Sequence, residues 1–305
     1  MKRVVSVSIG SSKRNHRVRH RFLDTDVDIE RIGTDGDLDR AEALCRTYDG
    51  EVDAIGIGGI EFYLQVADRR YYFRDAKRLA RAIRTTPVGD GNGIKTIVAQ
   101  RAVAALDKHL RAQGRTLAGM RAFHVVAVDR YGMAKALVDA GCDTFFGDLP
   151  FSLGVPKALG SLRQTRILAR ALLPVVTQLP FRWLYSQNQY GEIDGKWSHY
   201  YDRATLISGD FLQVRSSMPP RMDGKIILTN TTTEEDVETL RRAGVHLLVT
   251  TTPRLGGRSF GTNVMEATLL ALMGNQARHP RPEDFRRLIE AIPLSPCITE
   301  LNALG

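Results

Sequence analysis

Three short segments concentrate the residue types that hold or move charge. The first is Thr250-Thr-Thr-Pro-Arg-Leu-Gly-Gly-Arg-Ser-Phe-Gly-Thr-Asn263, which follows the apolar run Val245–Val249 and opens into an apolar helix pattern from Val264. A strand, a glycine-rich loop and a helix N-terminus, in that order, present backbone N–H groups and a positive dipole end. Arg254 and Arg258 add bidentate donors, and Ser259, Thr262 and Asn263 add hydroxyls and an amide, which together suit a carboxylate or phosphate. The second segment, Gly10-Ser-Ser-Lys-Arg-Asn-His-Arg17, follows the first predicted strand, and Ser11, Ser12, Lys13 and Arg14 offer similar chemistry without the spacing of a P-loop. The third, Asp90-Gly-Asn-Gly-Ile-Lys95, sets an acid and a lysine at the entrance of a helix. Such a pair can pass a proton to or from a substrate hydroxyl when its setting lowers the lysine pKa. Each segment also has a plain structural alternative: a tight strand-to-helix turn, a solvated basic loop, and a turn with a surface lysine.

Other turns carry weaker signals. Asp129-Arg-Tyr-Gly132 stands where a nucleotide-binding turn would, between strand and helix, but holds one glycine where that fingerprint has three. Asp129, Arg130, Gly132 and Thr251 are the positions that would meet a nucleotide. Gly56-x-Gly58-Gly59 ends a strand, where ligands of open α/β sheets collect, although close packing explains those glycines equally well. Thr229 and Asn230 lie at a strand tip as ligand candidates, and Thr232 with Glu235 forms a capping box for the next helix. His124, His199 and His246 lack metal-ligand spacing; His124 and His246 read as core or edge histidines, and His199 as a residue of a lid. Cys45, Cys142 and Cys297 form no Cys-x-x-Cys pair and read as small buried residues.

The elements that must position these residues alternate. Apolar strand runs at Val4–Ile9, Ile29–Ile32, Val52–Gly59, Phe123–Val128, Thr144–Phe146, Thr205–Ser208, Lys225–Leu228 and Val245–Val249 are separated by helical patterns. The helices are Asp35–Arg46, Asp75–Arg84, Ile94–Gln113, Met133–Ala140, Ser161–Leu173, Glu234–Ala243 and a long one near the end. Pro174 and Pro180 break or kink the chain after the fifth helix, and Trp183–Arg203 reads as an irregular insertion, a lid or a linker. The pattern predicts an α/β fold of two Rossmann-like halves with mainly parallel sheets and a cleft between them. It divides the chain into an N-terminal α/β domain, 1–118, and a C-terminal Rossmann-like domain, 119–305.

The whole chain resembles a bacterial family that carries the name quinate 5-dehydrogenase. The resemblance rests on Val-Val-Ser-Val-Ser-Ile-Gly-Ser-Ser-Lys-Arg-Asn-His16, Ile-Gly-Thr-Asp-Gly-Asp37, Thr-Asn-Thr-Thr-Thr-Glu-Glu-Asp236 and the Thr250–Asn263 segment. It implies oxidation of a cyclic hydroxy acid with NAD or NADP, with Lys95 transferring the proton, Asp90 as its partner, and Arg254 and Arg258 on the substrate carboxylate. Ser6-Val-Ser8 would correspond to the Ser-x-Ser carboxylate site of the shikimate and quinate dehydrogenases. Two alternatives stay open: an enzyme acting on an anionic or phosphorylated metabolite without a nicotinamide, and a non-enzymatic sensor or nucleic-acid-binding protein.

Composition constrains these readings. The 305 residues carry 43 lysines and arginines against 34 acids, a net charge of +9, with 43% hydrophobic residues. That excess suits an anionic metabolite, whereas no helix-turn-helix or aromatic-interleaved basic stripe supports nucleic acid. No apolar stretch is long enough for a membrane span, and the start lacks the apolar core of a signal peptide, which predicts a cytoplasmic protein. A homo-oligomer is compatible with the sequence.

Overall fold

Val4, Val5 and Val7 form a charge-free run of β-branched residues, and the strand they build, β1 (Lys2–Ser8), is buried on both faces as central parallel strands are. The computed structural model describes residues 1–180, 183, 194–255, 258–259, 261–278, 280–292 and 294–304. Beyond β1 the basic stretch turns at His16 into an edge strand, β2 (His16–Phe22), antiparallel to β3 (Thr25–Gly33). The sequence pattern alone places a loop through Arg17. The edge forms because Arg17 forks onto buried Asp28 across the ladder, at 3.0 and 2.5 Å. Helix α1 (Leu38–Tyr48), capped by Asp37, leads to β4 (Ala54–Gly58). A small hairpin, β5 (Tyr63–Val66) with β6 (Arg69–Tyr72), precedes α2 (Ala76–Ala82) and the short β7 (Val88–Gly89). The first sheet has five strands in the order β2-β3-β1-β4-β7, parallel except at the β2 edge.

Helix α3 (Asn92–Arg111) serves both halves. Its start, Ile94, Ile97 and Val98, packs with Val4, Val27 and Ile29 of the first sheet. Its later turns, Ala102, Val103, Leu106 and Leu110, pack with Ala122, Leu206, Leu228 and Val249 of the second.

The second half continues with β8 (Arg121–His124), α4 (Tyr131–Asp139), β9 (Asp143–Phe146), α5 (Asp148–Leu153) and α6 (Leu162–Val176). Helix α6 runs past Pro174 instead of ending at Leu173. Of the stretch Trp183–Arg203 expected to be irregular, 184–193 lie outside the described residues. The rest holds α7 (Ser198–Asp202), whose Tyr201 is fully buried and donates to Val214 O at 2.6 Å. The aromatic residues there therefore build core, with Trp197 and Tyr200 packed beside Phe123 and Phe145, while His199 is exposed. Then come β10 (Leu206–Gly209), α8 (Phe211–Ser216), β11 (Ile226–Thr229), α9 (Glu234–Arg242) and β12 (Leu247–Thr250). The capping box of α9 is Thr233 with Asp236, one residue later than the spacing suggested.

After a two-residue ladder, β13 (Arg254–Leu255) with β14 (Arg258–Ser259), the chain forms α10 (Thr262–Met273), α11 (Pro282–Ala291) and β15 (Cys297–Glu300). The second sheet has six strands, β15-β12-β11-β10-β8-β9, antiparallel only at β15. The protein is thus an α/β fold of two Rossmann-like halves with mainly parallel sheets and a cleft between them. The halves interleave: α10 follows β12 in sequence, yet it packs on β1 and β4 of the first sheet. Among the described residues, no helix is long and apolar enough to cross a membrane.

Candidate functional site

A cleft of about 1010 Å³ lies where the carboxyl ends of strands from both sheets face each other. Its floor and one wall are residues at or just beyond the ends of strands: Ser8 and Gly10 at β1, Glu61 after β4, Asp90 after β7, Asp129 after β8, Asp210 after β10 and Asn230 after β11. Strand ends of open α/β sheets leave side chains projecting where no helix covers them, which is why ligands gather there. The first half adds Arg14, Arg31, Arg74 and Arg78 to the lining, and α10 adds Thr262 and Asn263.

The floor is one connected chain of charge. Lys95 Nζ bonds Glu61 Oε1 and lies 3.3 Å from Asp129 Oδ1. Arg130 Nη2 donates to Asp210 Oδ2 at 2.7 Å, and its Nε lies 3.8 Å from Asp129 Oδ2. Asn230 Nδ2 donates to the same Asp210 oxygen at 2.8 Å, while its Oδ1 accepts from Phe211 N at 3.1 Å. Two polar atoms of this chain are covered and have no hydrogen-bond partner: Glu61 Oε2 and Arg130 Nε. Burial drives the Glu61 pKa up to about 7; Lys95 opposes the rise and Asp129 adds to it. Burial also works against ionisation of Asp129, but Lys95 and Arg130 outweigh it and hold that carboxyl below the usual range. Arg130 is 7% exposed, and burial of its charge is overcome by Asp210, Asp129 and Glu61, which keep it protonated. Asp148 supports the floor from behind. Its Oδ1 accepts from Val128 N at 2.8 Å, one residue before Asp129, and burial raises its pKa to about 6.

The joint beside the floor is built differently. Glu266 of α10 is 6% exposed and accepts Gly91 N at 2.5 Å, with the Gly93 N–H also directed at its carboxyl. Gly91 adopts φ +100°, a conformation that other residues avoid, and a Cβ there would lie 2.6 Å from Thr262 Oγ1. A Cβ on Gly93 would overlap the Glu266 carboxyl and reach Phe285 at 3.0 Å. Burial, then the charge of Asp90, raises the Glu266 pKa to about 8, against the two backbone N–H donors.

This geometry sorts the residues expected from sequence. Lys95 and Asp90 do not pair. Asp90 accepts Phe62 N at 2.6 Å and Asn92 Nδ2 at 2.7 Å, closing the turn before α3, whereas Lys95, one helical turn on, reaches Glu61 and Asp129. Ser11 and Arg14 line the cleft; exposed Lys13 does not, and Ser12 N is held by Asp35 Oδ1 at 2.7 Å. Thr229 is fully buried with its hydroxyl 2.9 Å from Gly209 O, so of that pair only Asn230 reaches the cleft. Asn263 lines the cleft while donating to Ser6 Oγ at 2.8 Å, and Thr262 lines it beside Gly91. Ser8 Oγ, the other half of the Ser-x-Ser pair, accepts Arg31 Nη2 at 2.9 Å. Asp129 and Arg130 belong to the floor, but Gly132 faces α3, where a Cβ would lie 2.5 Å from Thr96 Oγ1. Thr251 is buried behind that turn, outside the cleft. The side chains of Arg254, Arg258 and Ser259 lie outside the described residues, as do Gly256, Gly257 and Phe260. Sequence reasoning missed the roles of Glu61, Asp210 and Glu266. The first two carry a usable signal, an acid at the glycine-marked end of an apolar strand.

A two-lobed α/β protein with a polar interlobe cleft is the class defined by fold and site. The chain belongs to the family described as Domain of unknown function (DUF8754), which matches residues 93–301; a second model, Domain of unknown function (DUF8753), matches residues 3–90. No curated protein matches the sequence. Among solved structures it is similar to a galactofuranose binding protein at 12% identity and TM-score 0.36, covering 94% of this chain and 97% of that one. It is also similar to GanP, a glucose-galactose binding protein from Geobacillus stearothermophilus, at 10% identity and TM-score 0.38, covering 100% and 99%. A third is an ABC transporter periplasmic solute binding protein from Actinobacillus succinogenes 130z with bound D-allose, at 10% identity and TM-score 0.36, covering 99% and 98%. The comparisons correct the resemblance read from sequence: the matched families have no assigned function, and these structures are sugar-binding proteins, not quinate or shikimate dehydrogenases. The oxidoreductase reading falls with that resemblance, and the Lys95–Asp90 pair it needed is not formed.

Proposed function

We propose that this protein binds a small polyhydroxylated molecule carrying one anionic group in the interlobe cleft. The supporting observation is the asymmetry of the lining. Arg14, Arg31 and Arg74 gather on the first-half side beside Arg78, which Asp39 and Glu42 hold, and the acceptors Glu61, Asp129 and Asp210, with the amide of Asn230, form the floor. A carboxylate or phosphate suits the guanidinium side, where charge-assisted bonds are strong, and hydroxyls suit carboxylates that neighbouring cations hold in place. A strongly anionic polymer fits poorly, because the arginines of the lining are matched by Glu61, Asp75, Asp90, Asp129 and Asp210.

The test is a calorimetric panel of D-glucuronate, D-gluconate, D-glucose 6-phosphate and D-fructose 6-phosphate against neutral D-glucose and D-fructose. The reading expects a member of the anionic set to bind at least tenfold more tightly than its neutral counterpart, and Arg74→Ala to erase that preference. Equal affinity for charged and neutral members, or no binding at all, overturns it.

A further inference from the structure

We propose that the edge strand β2 is a docking site for an extended acidic peptide, which adds to the first sheet as a further strand; this goes beyond the cleft and does not depend on its ligand. β2 closes one side of the sheet, and its residues pair with β3 in an unbroken antiparallel register from His16↔Arg31 to Phe22↔Thr25. The phase of that ladder decides which main-chain groups face outward. Phe22 and Thr25 flank a two-residue turn, Leu23-Asp24, with Leu23 at φ +53°. They therefore exchange hydrogen bonds, as do His20 with Val27, Val18 with Ile29 and His16 with Arg31. The donors just past the ladder agree: Gly33 N turns to the β2 side and bonds Asn15 Oδ1 at 2.6 Å, while Thr34 N bonds Ser8 O of β1 at 2.8 Å. The N–H and C=O groups of Arg17, Arg19 and Arg21 thus point away from the sheet, where they have no partner among the described residues.

Proteins defend such edges with prolines, bulges or charges that stand over the main chain. β2 has no proline and no break in register. Two of its arginines are drawn back across the sheet: Arg17 forks onto Asp28 at 3.0 and 2.5 Å, and Arg19 Nε lies 4.0 Å from the same carboxyl. The main-chain edge is left open.

What this row of charge rejects is a like strand. A second copy of β2 in antiparallel register sets Arg19 opposite Arg19 and Arg17 opposite Arg21, which is repulsive. What it accepts is visible on its inner side, where β3 places Glu30, Asp28 and Asp26 opposite Arg17, Arg19 and Arg21. That inner row does not exhaust the arginines. Asp28 serves two of them, Arg21 lies 3.9 Å from fully exposed Asp24, and the three side chains are 55%, 71% and 64% exposed. A partner with acids at alternate positions completes the pattern on the outer side. Its main chain supplies hydrogen bonds to the edge, and its acids supply the choice of partner. On the opposite face Val18 and Phe22 pack into the core, so the docking strand is anchored from beneath.

Fluorescence anisotropy tests this with fluorescein-labelled Thr-Glu-Val-Glu-Val-Glu-Thr and its counterpart Thr-Lys-Val-Lys-Val-Lys-Thr, each titrated with the full chain. We expect saturable binding of the acidic peptide and at least about tenfold weaker binding of the lysine peptide. Arg19→Pro removes an outward N–H and no ladder bond, so it should fold, as thermal melting checks, and weaken the acidic peptide at least about tenfold more than Arg19→Ala does. A second control needs no variant: the acidic peptide methylated on all its main-chain nitrogens keeps its charge and should lose binding. No saturable binding of the acidic peptide, or equal binding of the two peptides, overturns the proposal. Wild-type affinity for the N-methylated peptide, or in folded Arg19→Pro, overturns strand addition. Displacement of the peptide by single-stranded DNA at equal concentration overturns it too, because charge alone then holds the ligand.

Discussion

Glu266 and Glu61 are both acids whose pKa burial raises, to about 8 and about 7, but they differ in what surrounds them. Glu266 is enclosed by glycines and takes hydrogen bonds from backbone N–H groups of the turn before α3, and it does not line the cleft. Glu61 is met by side chains, keeps one oxygen unsatisfied, and faces a large cleft. Burial and a raised pKa alone therefore do not mark a functional acid. The informative quantity is the unsatisfied hydrogen-bonding capacity beside space for a ligand. By this measure Glu266 locks α10 to the first half, and Glu61 belongs to the site.

The contrast can be broken most strongly on the floor. Asp210→Ala leaves the buried Arg130 guanidinium without its nearest carboxylate and removes the cap of α8, and should cost about 3 kcal/mol in denaturant unfolding and abolish ligand binding. A stability change below about 1 kcal/mol would show that Arg130 is solvated and the floor is not a closed network. On the other side, Gly93→Ala forces a methyl group into the Glu266 carboxyl and should cost about 2 kcal/mol, whereas Gly160→Ala, where the nearest atom would be 3.9 Å away, should be nearly neutral. Equal effects at the two glycines would contradict the packed joint.

The pH dependence sharpens the comparison further. Because the folded-state pKa of Glu266 lies above its ordinary value of 4.5, the fold holds a proton that the unfolded chain releases. Its contribution is complete below about pH 4.5 and is lost as pH rises to about 8, by up to about 1.4 kcal/mol per pH unit. Glu61 has the same sign over a narrower window, up to about 7. Chemical denaturation from pH 4.5 to 9 should show this fall, and Glu266→Gln should flatten the part above pH 7; an unchanged slope there would remove Glu266 from the account. The smallest effect belongs to the rim. Arg74 lies on the exposed lining, so Arg74→Ala should alter stability by less than about 0.5 kcal/mol while weakening an anionic ligand about tenfold.

The parallel strands were legible because continuous apolar runs such as Val4–Ile9 and Val245–Val249 have few other uses. The edge strand β2 was not, since His-Arg-Val-Arg-His-Arg-Phe reads as a solvated basic stretch until Asp28 appears across the ladder. Helix α10 was visible as a pattern, but nothing local says that it returns to the first sheet. Within the site, Asp129, Arg130, Asn230, Thr262 and Asn263 were found because turns after strands are places to look. The Glu61–Lys95 contact spans 34 residues, and the nearer Asp90 looked the better partner until its oxygens proved to be taken by Phe62 N and Asn92. Short spacing identifies turns well and pairs across a cleft poorly.

The most direct test of the central claim is amide NMR perturbation of the full chain titrated with D-glucuronate and D-glucose 6-phosphate. The account predicts saturable shifts clustered at Gly58–Glu61, Asp129–Arg130, Asp210–Phe211, Asn230 and Thr262–Asn263. Shifts confined to the basic edge strand His16–Phe22, or spread without saturation, would contradict it.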